Sequence, residues 1–378
     1  MSGFLLVLRS LLYRRRTNIA VAAGIAVATA VLVGSLGAGD SVRCSLRHIA
    51  LNRLGRAVFA LEAGERFFRD ELAGEVARRL GGGAAALIAL PGSASARGGE
   101  VRASPVEVLG VAEDFWRFAP EPVNYNLGEE EVFLNEPLAR RLGAGTGEEV
   151  LLRVQPASRM PGDAPLAPAA STEALRLVVK RIISDRNLGG FSLRVNQVFP
   201  LNAFVSRELL ARRLGRAGRA NTILLEPRKP RSLEEAQEAL SRTWRLEDAG
   251  LSLRRAGSGW DLLSERVFLE PAVEQTALAE GGSGLLTYFV ERMSCGDREI
   301  PYSFVASAGA GRLGLELKEG EIVLNRWAAR ELAAGPGATV ELEYLIPGPD
   351  GRLERHSKSF RVQGVVPIEP EDRSFMPD

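Results

Sequence analysis

Residues 18–38 read NIAVAAGIAVATAVLVGSLGA, an apolar stretch with no charge, preceded by Arg14, Arg15 and Arg16. A helix rises about 1.5 Å per residue, so the stretch reaches roughly 30 Å, the thickness of a bilayer's hydrocarbon core. A helix also pairs its own backbone donors and acceptors, as a lipid-embedded segment must. Arg9, Arg14, Arg15 and Arg16 precede the run, and Asp40 is the first charge beyond it. The positive-inside rule then sets the N-terminus in the cytoplasm and the rest of the chain outside. The expected layout is a cytoplasmic or interfacial segment (1–17), a transmembrane helix (18–38) and an extracytoplasmic body (39–378). The run is apolar on every face, unlike a soluble core helix. It is also long for a secretory signal, and Leu36-Gly37-Ala38 is a poor cleavage site. Residues 4–8, with Leu11 and Leu12 and basic interruptions, suit the cytoplasmic interface. Gly24/Ala28 and Ala30/Gly34 are small-xxx-small pairs, which let a second helix approach closely in lipid.

About 340 residues remain, enough for two or more domains. The formal net charge is +1, so there is no electrostatic case for nucleic acid as a partner. The two cysteines, Cys44 and Cys295, pair only if their Cα atoms come within about 7 Å, which sequence leaves open. Cys44 sits after Val42-Arg43 and comes too late after the apolar run for a lipoprotein acceptor.

The second strong feature is an internal repeat at an offset of 190 residues. Residues 127–152 (LGEEEVFLNEPLARRLGAGTGEEVLL) align without a gap to residues 317–342 (LKEGEIVLNRWAARELAAGPGATVEL). Each copy predicts a short strand (132–134, 322–324), then an N-cap asparagine, Asn135 or Asn325, whose side-chain oxygen accepts a free helical N–H. A short helix comes next, ended by a Gly-x-Gly step, and a new strand starts at Val150 or Val340. Pro-led strands precede each copy (105–111, 301–306), and further strands come after it (175–179, 360–365), so the copies extend over about 105–183 and 301–367. A proline- and alanine-rich loop at 156–168 in the first copy is replaced by a tight turn at 347–351 in the second. Two βαβ-like units are expected near 57–90 and 221–254; the second has a helix opened by a Ser232/Glu235 capping box.

Signatures of chemistry are scarce. The G-x-G-x-x-G of residues 309–314 does not lead into a Rossmann helix, and no phosphate-binding G-x-x-x-x-G-K-[ST] occurs, so the chain does not hydrolyse ATP itself. His48 and His356 lack metal-ligand spacing. The runs 129–131 and 369–372 read as solvated carboxylate faces, and Phe115, Trp116 and Phe118 read as core. The expectation is a non-enzyme with no catalytic residue, no metal and no cofactor.

The stretch R-R-R-T-N-x-x-V-A from Arg14, the G-D-S-V-R from Gly39 and the repeated LN-x-x-x-AR-x-L-x-AG-x-G resemble the MacB/FtsX/LolC-type ABC transporter permeases, over their first span and periplasmic core domain. The resemblance implies an α+β fold with a two-lobed extracytoplasmic domain, one lobe of βαβ units and one β-rich. It implies a cell (inner) membrane location, a cytoplasmic ABC ATPase as partner, and a homodimer or a partner permease chain. It also implies coupling of ATP hydrolysis to export, lipoprotein extraction or hydrolase activation; the cargo stays unknown. Such permeases return to the membrane with at least three further spans, and no second apolar run precedes Asp378. The competing expectation is a membrane-anchored binding or scaffold domain that works without an ATPase.

Overall fold

The computed structural model describes residues 9, 11–121, 123, 125–155, 172–194, 198–256, 259–266, 269–308, 317–347 and 353–367. Residues 4–8, the loop 156–168, the glycine motif 309–314 and the acidic run 369–372 lie outside the described residues, as does most of the turn 347–351. The chain is a mixed α+β protein with an apolar N-terminal helix and two compact units, residues 1–155 with 172–244 and residues 156–171 with 245–378.

The apolar run lies in α1 (Arg15–Leu54), which continues well past the expected boundary at Ala38. Nothing between Gly39 and Leu54 breaks a helix, since the stretch has no proline. Its last turns also acquire a buried stripe: Leu46 and Ala50 are half-buried and Arg53 is buried, at i, i+4, i+7 spacing. The helix ends at Gly55, where φ is +59° and a side chain would run into the Phe118 carbonyl and Leu188. The next N–H, of Arg56, donates to that carbonyl at 2.8 Å. The helix therefore joins its unit through a packed joint.

The first unit continues with β1 (Phe59–Glu62), β2 (Phe68–Arg69), α2 (Glu71–Leu80), β3 (Gly82–Ala96), β4 (Val101–Val111), α3 (Glu113–Trp116), β5 (Glu131–Asn135), α4 (Glu136–Leu142), β6 (Glu149–Val154), β7 (Glu173–Ile183), β8 (Asn202–Ser206), α5 (Arg207–Arg213), β9 (Arg219–Ala220), β10 (Thr222–Pro227) and α6 (Leu233–Ser241). The sheet order is β1-β10-β3-β4-β8-β5-β7-β6, and β6 also pairs with β3. Six strands, β3-β4-β8-β5-β7-β6, thus close into a ring, with β1 and β10 as an extension. Along β3 and β10 the side chains alternate. Ala86, Ile223 and Leu225 pack against α2 and α6, while Ala85, Leu87 and Leu224 join an aromatic cluster on the other face.

The βαβ expectation is corrected in both places. β1 and β3 are not neighbours; each runs antiparallel to β10, which lies between them. After α6 the chain does not return to β10, because both edges of that strand are already taken. The next strand, β11 (Leu251–Ala256), pairs instead with β12 (Gly259–Ser264) in the second unit. The Ser232/Glu235 capping box is present at the start of α6.

The second unit adds α7 (Pro271–Ala279), β13 (Leu285–Cys295), β14 (Arg298–Ala308), β15 (Glu321–Asn325), α8 (Arg326–Glu331), β16 (Thr339–Pro347) and β17 (Leu353–Val366). Its main sheet has the order β14-β13-β16-β17-β15, the same as β4-β3-β6-β7-β5 in the first unit. Agreement extends to detail. The parallel pairs β5–β7 and β15–β17 both shift register after their second residue, at Val132/Phe133 and Ile322/Val323. The N–H groups of Gly147 and Gly337 both donate at 2.7 Å to the neighbouring strand, at Val179 and Val362. The repeat is therefore larger than the 26 aligned residues and includes the preceding hairpin.

Among the described residues, the difference that changes the sheet is β8. β8 is inserted between β4, which it meets in parallel, and β5, which it meets antiparallel. Among the described residues no strand takes that position between β14 and β15. The two cap asparagines register the difference. Asn135 Oδ1 accepts from Leu138 N, as a cap, and from Asn202 N at the head of β8; its Nδ2 donates to Gly189 O and Pro200 O. Asn325 Oδ1 accepts from Ala328 N at 2.7 Å, and the residue is exposed. Replacing Asn135 by Ala removes a cap and leaves buried backbone groups unpaired, a loss of about 3 kcal/mol; Asn325→Ala removes a cap alone, about 1 kcal/mol. Equilibrium denaturation of the two variants checks this ordering.

Candidate functional site

The residues expected to anchor the chain are all exposed. Arg14 stands at the N-cap of α1 without a side-chain cap bond, and Arg15 and Arg16 occupy its first turn. Gly24, Ala28, Ala30 and Gly34 are exposed, and a methyl group added at Gly24 or Gly34 would meet no atom within 4 Å. At 3.6 residues per turn, the faces defined by Gly24/Ala28 and by Ala30/Gly34 point about 120° apart. One partner helix therefore cannot use both pairs; together they offer two faces.

Phe115, Trp116 and Phe118 are buried in the first unit. Trp116 lies 5.2 Å from the Tyr125 ring, 5.8 Å from Phe133 and 5.2 Å from Phe204. They form core, with Phe204 supplied by β8, and present no surface to a partner. The run Glu129, Glu130, Glu131 borders a shallow cleft of about 690 Å³, also lined by Gly128, Thr146, Gly147, Val178, Val179 and Lys180. Glu131 Oε2 accepts from Lys180 Nζ at 2.7 Å and from Gly128 N at 2.6 Å, and Glu129 pairs with Arg212. The hydrogen bond from the Lys180 ammonium, helped by the Gly128 N–H, holds the Glu131 carboxyl below the usual carboxylate range. The cleft is an outcrop of the repeat itself: Glu321 Oε2 accepts from Lys318 N at 2.8 Å in the second copy.

Two carboxyls shift the other way. Burial raises Glu107 on β4 and Asp114 on α3, opposed by the positive charges of Arg194 and Arg207. Arg207 also pairs with Asp70 at 3.1 Å and donates to Ala86 O at 2.9 Å, so it ties α5 to the loop before α2 and to β3. This is a structural knot. Cys44 is exposed and Cys295 half-buried, and both are free thiols. His356 on β17 stacks on Tyr344, with ring centroids 6.4 Å apart. Among the described residues no group of three or more His, Cys, Asp or Glu side chains gathers as a metal site.

The sequence matches no known protein family and no curated protein. Among solved structures, the chain is similar to the periplasmic region of MacB from Actinobacillus actinomycetemcomitans, at 10% identity and a TM-score of 0.33, over 61% of this chain and 98% of that one. A likeness of that size transfers neither fold nor activity.

The Glu131–Lys180 pair generates a pH prediction. A carboxyl whose folded pKa is depressed contributes stability above its unfolded pKa and loses it as pH falls through the lower folded value. The pair is partly exposed, so its contribution is about 0.5 kcal/mol. Glu131→Gln is expected to be less stable than the parent by that amount at neutral pH, with the difference vanishing well below pH 4 in parallel denaturation curves.

Proposed function

We propose that this chain is the first span and extracytoplasmic portion of an ABC transporter permease subunit, anchored in the cell membrane with its N-terminus in the cytoplasm. In this reading it has no catalytic role. It passes the motion of a separate cytoplasmic ATPase to a two-lobed body outside the membrane, for export, lipoprotein extraction or hydrolase activation.

The observation that carries the reading is the continuity of α1. An uncharged segment long enough to cross lipid lies within a helix that runs without interruption from Arg15 to Leu54 and ends at the close-packed Gly55 joint. Forty residues of helix extend about 60 Å. A rigid rod that starts at the cytoplasmic face and is packed into an outer unit transmits tilt or rotation, whereas a flexible linker would absorb it. The motifs beginning at Arg14 and Gly39 and the LN-x-x-x-AR repeat support the same class of protein. The two small-residue faces suit helix neighbours on two sides, from a second copy or a partner permease chain as well as from other spans.

Two measurements test this. Protease treatment of intact and opened cells should cleave the body only where the outer side is accessible, and leave the N-terminus protected in intact cells. Solubilised membranes should yield the chain together with an ABC ATPase subunit. Isolation without ATPase or permease would instead support a membrane-anchored scaffold, and cleavage of the body from the cytosolic side would overturn the topology.

A further inference from the structure

The cations at the head of α1 have no counter-charge on their side of the apolar run. Residues 1–39 contain Arg9, Arg14, Arg15 and Arg16 and no Asp or Glu. At 1.5 Å per residue, the first carboxylate in the sequence, Asp40, lies about 36 Å from Arg16 along the helix. That is several Debye lengths at physiological salt, too far to neutralise it. Arg14, Arg15 and Arg16 are exposed, and among the described residues none of the three is ion-paired.

Their height relative to the run is fixed. The backbone turns at Arg14 (φ −100°, ψ 28°), and residues 11–13 before it are helical again. Asn18 Nδ2 donates to Leu11 O at 3.1 Å and Asn18 N to Arg14 O at 3.0 Å, so the first residue of the uncharged run braces the turn. Arg14, Arg15 and Arg16 therefore stand within about 6 Å of Asn18 along the axis, at the level where lipid phosphates border hydrocarbon. Leu11, Leu12 and Tyr13, exposed beside them, are residue types that suit a membrane interface. Consecutive helical residues point about 100° apart, so Arg15 and Arg16 aim at different sides of the helix. One flat protein surface meets only part of that arc, whereas a layer of headgroups surrounds all of it.

We propose that Arg14, Arg15 and Arg16 bind the phosphates of anionic phospholipids in the leaflet where the span begins, and so select such lipids around the head of α1. The inference rests on the reading that the apolar run crosses a membrane, since that reading puts the carboxylates of the body on the far side. A guanidinium is a planar fork whose N–H groups meet two phosphate oxygens, and its long stem reaches from the helix into the headgroup layer. A zwitterionic lipid offers the same phosphate with its own cation beside it, so net charge makes the selection. Contact between one arginine and an anionic headgroup favours association about five-fold, and the spread of the three side chains shares them among several lipids.

The test uses the full chain reconstituted in phosphatidylcholine vesicles with a trace of spin-labelled phosphatidylglycerol or spin-labelled phosphatidylcholine. Electron spin resonance reads the fraction of each label held at the protein surface, whichever way the chain is inserted. Association about five-fold higher for phosphatidylglycerol is expected at low salt, falling towards equality at high salt. The combined variant Arg14→Gln, Arg15→Gln, Arg16→Gln should lose the preference, while Arg14→Lys, Arg15→Lys, Arg16→Lys should keep most of it. Neither should change the melting temperature of the body. Equal association of the two lipids with the parent chain would overturn the proposal and assign the cations to an acidic surface of a partner protein. A preference that survives the glutamine variant would overturn it too, placing the anionic lipid elsewhere on the chain. A chain that holds neither label would refute the span itself, and the proposal with it, which sets that failure apart from a failure of lipid choice.

Discussion

An exposed row of backbone N–H and C=O groups has to be paired, covered or left to water, and this fold resolves the problem differently in its two copies of one module. In the first, β8 closes six strands into a ring and Asn135 locks it. The side chain of Asn135 does two tasks, starting α4 with its oxygen and holding the approach to β8 with both oxygen and nitrogen. Closure buries Phe204 against Phe115 and Trp116, so the aromatic core depends on a strand that begins sixty-seven residues after the asparagine that holds it. In the second copy Asn325 likewise caps the helix, and among the described residues no strand closes the ring. The smaller core there, of Met293, Ile300, Leu324, Leu332, Val340 and Val362, is what the shared strands and helix build without the sixth strand.

The link between anchor and body obeys another constraint. In the proposed topology, continuation of α1 beyond the apolar run pairs its backbone both in lipid and in water, so no connector of different structure is needed between them. Its end is fixed by glycine at a position where the chain must turn under the Phe118 carbonyl. Helix, joint and ring are consecutive and packed, which is the mechanical basis of the proposed coupling.

Much of this was legible in the residues because the signals were local. The cap asparagines, the capping box at Ser232 and the strands that start at Glu149 and Thr339, one residue before the expected Val150 and Val340, are set by a few neighbouring residues each. The uncharged run revealed a helix but not its end, since residues 42–54 are charged and yet free of helix breakers. The strand pairings were the hidden part. Nothing in residues 57–90 shows that β10, more than a hundred residues later, inserts between β1 and β3. The hairpins β3–β4 and β13–β14 share topology with almost no identical residues, because pleated hydrogen bonding tolerates many sequences. Of the candidate site, the apolar helix proposed as the anchor was readable from composition alone. The place of β8 in the ring was not, since it is defined by a strand present in one copy and absent from the described part of the other.

The central claim is that one module occurs twice, and that β8 closes it into a ring in the first copy while no described strand does so in the second. Amide hydrogen exchange of the full chain, read by mass spectrometry, tests it directly. Slow exchange is predicted for the amides of β4 and β5 that face β8, and fast exchange for those of β14 and β15 on the corresponding side. Equal protection of both sets in the isolated chain would contradict the account.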